Sequence, residues 1–212
     1  MEENNEHEIV PPVCVAVDVQ NDFITGSLGS EWAAEVAPNI VDFCRKAMEL
    51  YNARLICTQD THGINYMDTR EGKVLPVSHC IGGSEGWKLY EGMDFPRAYD
   101  VEKYTFMSDP QEMGRALQDR LGLSGCDVFH HKGNVFVYGF CTSICVVANA
   151  LLLRGLMPEA NIMVVADLCA DIDGESHAAA LRVMANNHIP SVSADEALEM
   201  LREQDAAGGE LS

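Results

Sequence analysis

No two of the eight cysteines stand in C-x-x-C spacing, so neither a zinc ribbon nor a thioredoxin-type redox motif is supported. No apolar run approaches the ~18 residues that a membrane-spanning helix needs. The opening segment MEENNEHEIV is acidic and has no apolar centre, unlike a secretory signal. Positive charge is scarce: 14 Lys and Arg stand against 33 Asp and Glu, a net charge of −19. Nucleic acid and anionic membrane surfaces both require clustered basic side chains, so neither is expected as a partner. Much of the acid lies at the two ends (Glu2, Glu3, Glu6, Glu8; Glu196, Glu199, Glu203, Asp205, Glu210), which serves solubility and says nothing about the charge of a pocket. No G-x-G-x-x-G follows the first apolar run, so the dinucleotide-binding fingerprint is missing and no organic cofactor is expected. Internal repeats and linkers are missing too. What is left is a cytoplasmic, enzyme-sized domain with reduced cysteines in its core.

What is present fits one domain. The chain has 212 residues, 47% apolar and 22% charged, ample for a substantial core. Residues 1–9 read as a disordered acidic lead-in, 10–205 as the domain and 206–212 as a flexible tail. Near-continuous apolar runs at 13–19, 54–58, 134–140 and 161–168 read as strands buried on both faces, as in parallel sheets. Shorter strands are expected at 100–106 and 189–192. Helical spacing appears at 31–52, 110–121, 143–154, 174–187 and 194–204. Pro38 should break the first of these, leaving 39 onward as the safer helix. Ser193 with Glu196 forms a capping box for the last. Residues 126–129 read as either a short extra strand or part of a loop, and 123–132 as a candidate contact in a homo-oligomer. The alternation implies a doubly wound α/β domain, a mostly parallel sheet of about six strands with helices on both faces.

Chemistry concentrates where strands end. YGFCTSICVVAN, residues 138–149, switches from strand to helix, with Thr142 as the expected N-cap, Cys141 just before it and Cys145 in the first turn. A thiol at a helix N-terminus sits in a field that favours the thiolate, although both cysteines also suit small buried apolar positions. Asp18 lies near the end of the first strand. A carboxylate there is costly without partners, and that edge of an open α/β sheet binds ligands; loop N–H groups could equally satisfy it. Lys103 ends the short strand region. Carboxylate, ammonium and thiol together can generate and hold a nucleophilic sulfur.

With these residues in view, the chain resembles the isochorismatase-like cysteine hydrolase superfamily, and within it nicotinamidases and related amidases. The matching segments are D-V-Q-N-D-F (18–23), T-Q-D-T-H (58–62), the Lys103 segment, G-F-C-T-S-I-C-V (139–146) and A-D-L-C-A (166–170) followed by His177. The resemblance implies Asp18, Lys103 and Cys145 as catalytic residues. It further implies a cis peptide at 140–141 and an oxyanion hole formed by the N–H groups of Cys141 and Cys145. Two positions depart from the family pattern: Cys141 stands where Ala is usual, and Ser143 where Asp is common.

The resemblance also implies that Asp60, His62 and His79 hold a divalent metal, zinc in many relatives, with Glu71 as a further candidate ligand. Asp60 and His62 share one side of an extended segment; hydrogen-bonded loop residues would have the same spacing. Phe23 and Trp87 offer flat surfaces for a pyridine ring, or else belong to the core. Three readings follow: a nicotinamidase-type enzyme acting on a small amide, an amidase for N-carbamoyl or ureido substrates without an essential metal, and an idle α/β module used for binding or assembly.

Overall fold

A computed structural model describes residues 11–122 and 128–209. Six strands form one parallel sheet: β1 (Val13–Val17), β2 (Arg54–Asp60), β3 (Tyr99–Lys103), β4 (Asn134–Phe140), β5 (Asn161–Ala170) and β6 (Ser191–Val192), in the order β3-β2-β1-β4-β5-β6. The helices are α1 (Asn21–Ile24), α2 (Glu31–Tyr51), α3 (Arg70–Val74), α4 (Pro110–Leu121), α5 (Val147–Leu156), α6 (Gly174–Asn186) and α7 (Ala194–Gly209). α2 packs with α7 against one face, while α4, α5 and α6 adjoin one another on the other. Every residue of β1 is fully buried. Burying a Val side chain contributes about 1.5–3 kcal/mol, which is why this central strand has no alternation of polar and apolar positions.

The strand order reverses between β1 and β4. In open α/β sheets that crevice, beyond the carboxyl ends of the strands, is where ligands bind. Registers Val17↔Thr58, Val17↔Gly139 and Asp60↔Lys103 bring the ends of β1, β2, β3 and β4 to one edge. β4 approaches β1 very closely there. A Cβ on Gly139, at φ 126°, would lie 2.1 Å from the Val17 carbonyl oxygen, so only glycine fits.

Several boundaries differ from the sequence-based expectation. α2 is one helix from Glu31, capped by Ser30, whose Oγ accepts the Ala33 N–H at 3.0 Å. Pro38 lies inside it and does not break it, because it is on the exposed side, where water can satisfy the carbonyl left without a partner. The stripe Val36, Ile40, Val41, Cys44 and Ala47 stays buried across it. β2 runs two residues further than expected, to Asp60, and β3 stops at Lys103 without reaching residue 106. α7 runs past the expected end at 204 to Gly209. Ser193 and Glu196 do form the capping box, with the Ser193 N–H to Glu196 Oε2 at 2.7 Å and the Glu196 N–H to Ser193 Oγ at 3.2 Å. Residues 1–10, 123–127 and 210–212, and with them the whole lead-in and half of the segment 123–132, lie outside the described residues. Phe129 is in a helical turn. The seven described cysteines are all free, and no described helix is long and apolar enough to cross a membrane.

His131, just before β4, is 3% exposed, and neither ring nitrogen has a hydrogen-bond partner among the described residues. Burial pushes its pKa from 6.5 down to about 4. The unfolded chain therefore binds a proton at higher pH than the folded one, and His131 withdraws stability as pH falls from 6.5 toward 4. We expect urea midpoints of the wild type to fall across this window more steeply than those of His131→Leu; parallel slopes would refute the assignment.

Candidate active site

Asp18 directly follows β1 at φ 52°. Its N–H faces both the carbonyl (3.2 Å) and Oγ1 (3.1 Å) of Thr58 on β2, and its Oδ1 accepts the Thr58 hydroxyl at 2.6 Å. Its Oδ2 lies 2.8 Å from Lys103 Nζ. Lys103 ends β3 and is 1% exposed. Its ammonium also lies 3.1 Å from Asp60 Oδ1, donates to the Thr105 carbonyl at 3.1 Å, and is 3.5 Å from Cys145 Sγ. The three residues singled out from separate strand ends therefore meet around one buried nitrogen. Thr58, which orients Asp18, was missed by sequence reasoning because a threonine in a strand carries no distinguishing signal.

The segment that carries Cys145 is not a plain helix start. The Phe140–Cys141 peptide is cis. Thr142–Val146 forms a π-helical turn, and Cys145 sits in it with 5% exposure. π turns of this kind recur at functional sites. Cys141, not Thr142, is the N-cap residue, and its carbonyl accepts the N–H groups of Ile144 (3.2 Å) and Val146 (3.1 Å). Thr142 Oγ1 instead reaches the Ala170 carbonyl at 3.1 Å and His177 Nδ1 at 2.9 Å. Ser143 is held by Asp171 on both its N–H (2.7 Å) and its hydroxyl (2.9 Å). The carboxylate that bonds this turn comes from just beyond the end of β5.

Burial raises the Cys145 thiol well above its ordinary range; facing Asp18 adds to the rise, and Lys103 opposes it. Burial also raises Asp18, against the pull of Lys103. For Lys103, burial disfavours charge, but Asp18, Cys145 and Asp60 outweigh it and hold the ammonium protonated. The resting arrangement is a thiol beside a carboxylate of raised basicity, suited to passing one proton. Burial raises the Cys141 thiol to about 12, so it is no competing thiolate.

Asp60 joins this cluster to a second one. Burial alone would raise its pKa, but His62, His79 and Lys103 together lower it. Its Oδ2 lies 3.0 Å from His62 Nε2 and 3.4 Å from His79 Nε2, and one ligand atom from each of the three residues lies within 4.8 Å of the others. Glu71 Oε1 stands further off, at 3.6 Å and 3.9 Å from the two imidazoles. His79 Nδ1 is 2.8 Å from the Val77 carbonyl, which can only accept, so the neutral imidazole carries its lone pair on Nε2, the nitrogen that faces the cluster. His62 Nε2 is buried and has no well-directed hydrogen bond. Two imidazoles and a carboxylate with an orphaned ring nitrogen fit a divalent cation. Gln20, also missed from sequence, fixes Asp60 by bonding both its N–H (2.7 Å) and its carbonyl (2.9 Å).

A cavity of about 430 Å³ opens beside Cys141, lined by Phe23, Leu28, Leu75, Phe140, Asp171 and Ile172 among others. Phe23 also meets the His79 ring edge-on at 5.7 Å. Trp87 does not join this wall. Its indole N–H is tied to Thr61 Oγ1 at 2.8 Å, and the ring lines a different cavity with Gln59, Met93 and Phe95.

Removing the shared cation should be costly. Lys103→Met leaves Asp18 buried without its cation, beside an Asp60 that keeps only the two imidazoles. We expect a loss of about 3–5 kcal/mol in urea unfolding at neutral pH, shrinking as pH falls and Asp18 takes a proton. A deficit that does not depend on pH would contradict this electrostatic picture.

The isochorismatase domain matches residues 12–196. The nicotinamidase of Acinetobacter baylyi is 25% identical over 186 residues, 75% of this chain and 81% of that protein. The crystal structure of the pyrazinamidase of Pyrococcus horikoshii in complex with zinc superposes with a TM-score of 0.71 at 22% identity, covering 86% of this chain and 98% of that one. The N-carbamoylsarcosine amidase from Thermoplasma acidophilum gives a TM-score of 0.63 at 22% identity, over 87% and 97% of the two chains. These structural likenesses reflect a common fold. With one domain family spanning nearly all of the described residues, the chain belongs to the isochorismatase family.

Proposed function

We propose that this chain is an amide-cleaving hydrolase of nicotinamidase type, with Cys145 as nucleophile, acting on nicotinamide or a similar small neutral amide. The observation that carries this reading is the buried Lys103 ammonium, 2.8 Å from Asp18 and 3.5 Å from Cys145. A catalytically idle module has no need to keep a carboxylate, a cation and a thiol in contact in a dry interior, where an imperfect set costs stability.

Asp18 takes the Cys145 proton as the sulfur attacks the amide carbon. The carbonyl electron pair moves onto oxygen, where the N–H groups of Cys141 and Cys145 receive it. Collapse re-forms the carbonyl and breaks the C–N bond, and Asp18 gives its proton to the departing ammonia. Asp18 then deprotonates a water that attacks the thioester. The carboxylic acid leaves and the sulfur recovers its proton. Lys103 holds Asp18 in place throughout and stabilises the sulfur anion. Phe23 supplies one face for a ring.

Asp60, His62 and His79 would hold a divalent cation, zinc being our choice, with Glu71 outside the inner set. Bound there, the ion would supply a Lewis-acidic contact for a ring nitrogen of the substrate. The runner-up, an N-carbamoyl amino acid, carries a carboxylate. Neither Lys nor Arg is among the residues lining the cavity beside Cys141, and Lys103 is already committed. That favours a neutral amide.

Two measurements test the reading. Ammonia release across a panel of amides should be highest for nicotinamide-like substrates and fall at least about a thousandfold in Cys145→Ala; full turnover by that variant would refute the nucleophile. Elemental analysis of protein purified without a metal-affinity tag should find about one divalent ion per chain in the wild type and far less in His79→Ala. An empty wild type with full activity would remove the metal from the account.

A further inference from the structure

Asn149, in α5, is fully buried, and its amide has three hydrogen bonds that join two separate parts of the fold. Nδ2 donates to the Cys145 carbonyl at 2.8 Å and to the Phe106 carbonyl at 3.1 Å. Oδ1 accepts the Ser108 N–H at 3.0 Å. One end of this set is the π turn that carries the sulfur. The other is the segment 104–108 that directly follows Lys103 and whose Thr105 carbonyl takes the Lys103 ammonium.

Apart from the Thr105 bond, the deeply buried part of that segment is Ser108, the residue whose N–H Asn149 takes. Tyr104, Phe106 and Met107 are 71%, 45% and 41% exposed, so burial of its own large side chains does not anchor it. A buried amide using three of its four hydrogen-bonding positions is a rigid link. We propose that Asn149 is a positioning residue: it ties the lysine segment to the cysteine turn and thereby sets the separation between Lys103 Nζ and Cys145 Sγ. This rests on the reading of Cys145 as the nucleophile, and it adds a residue that touches no reacting atom. Displacements of about 1 Å in such arrangements cost up to about a hundredfold in rate.

Two variants separate the halves of the link. Asn149→Asp keeps the size and the acceptor for Ser108 but turns an oxygen toward two carbonyls. Asn149→Thr can keep the Cys145 carbonyl bonded, since a helical Thr hydroxyl reaches the carbonyl four residues back, while both bonds to the lysine segment are lost. For each, kcat and KM on nicotinamide would be measured, together with the pH dependence of Cys145 alkylation by iodoacetamide, followed on its peptide by mass spectrometry. We expect kcat to fall about a hundredfold in the Asp variant and about tenfold in the Thr variant, with KM within about a factor of two. The alkylation midpoint should move to higher pH in both. If Asn149→Thr keeps wild-type kcat and alkylation midpoint, the link to the lysine segment does no positioning and the inference is wrong; this holds even where Asn149→Asp fails to fold. The alkylation arm needs no substrate, so an inactive wild type would refute the amidase reading while still deciding the role of Asn149.

Discussion

One buried ammonium holds this site together. Lys103 stands among two carboxylates and a thiol with almost no access to water. An unpaired charge at that depth is very costly, so neither the ammonium nor the two carboxylates are stable there without the others. Their dependence on one another restricts where the strands can end: β1 must deliver Asp18, β2 Asp60, β3 Lys103, and the turn after β4 Cys145. The parallel sheet meets all four demands because its strands end on one edge, and the order reverses between β1 and β4, where the crevice opens. Asp60 extends the same constraint further, because one of its oxygens faces Lys103 and the other faces the two imidazoles. The Lys103 cluster and the candidate metal cluster therefore have one carboxylate in common, and disturbing either should be felt in both.

Much of this could be read from the sequence, for physical reasons. Strands buried on both faces need unbroken apolar runs, so a single charge at the end of such a run, as at Asp18, is conspicuous. Asp60, His62 and His79 have the residue types of a metal site, but spacing alone does not separate them from hydrogen-bonded loop residues, and it was the resemblance to nicotinamidases that picked them out. Sheet order and register were not visible. Nothing in local periodicity says that Asp60 pairs with Lys103 across β2 and β3.

The residues that escaped sequence reasoning share one property: they act through backbone atoms or through a neighbour. Thr58, Gln20, Asp171 and Asn149 are ordinary strand, loop or helix residues by pattern, and only coordinates reveal what they bond. Thr142 misled, because a threonine before a helix normally caps it, whereas a π turn redirects its hydroxyl to Ala170 and His177. Trp87, a flat aromatic expected to wall the substrate, has its indole N–H bonded to Thr61 and lines a cavity other than the one beside Cys141. Ser143, which departs from the family pattern, is bonded by Asp171 through both its N–H and its hydroxyl.

The central claim is that the carbon attacked in the substrate becomes bonded to the sulfur of Cys145. Acid quenching during turnover of nicotinamide, followed by peptide mass spectrometry, tests it most directly. The account predicts an acyl adduct of nicotinoyl mass on the peptide holding Cys145 and on no other cysteine. Ammonia release at full rate with no acyl group on Cys145 at any quench time would contradict it.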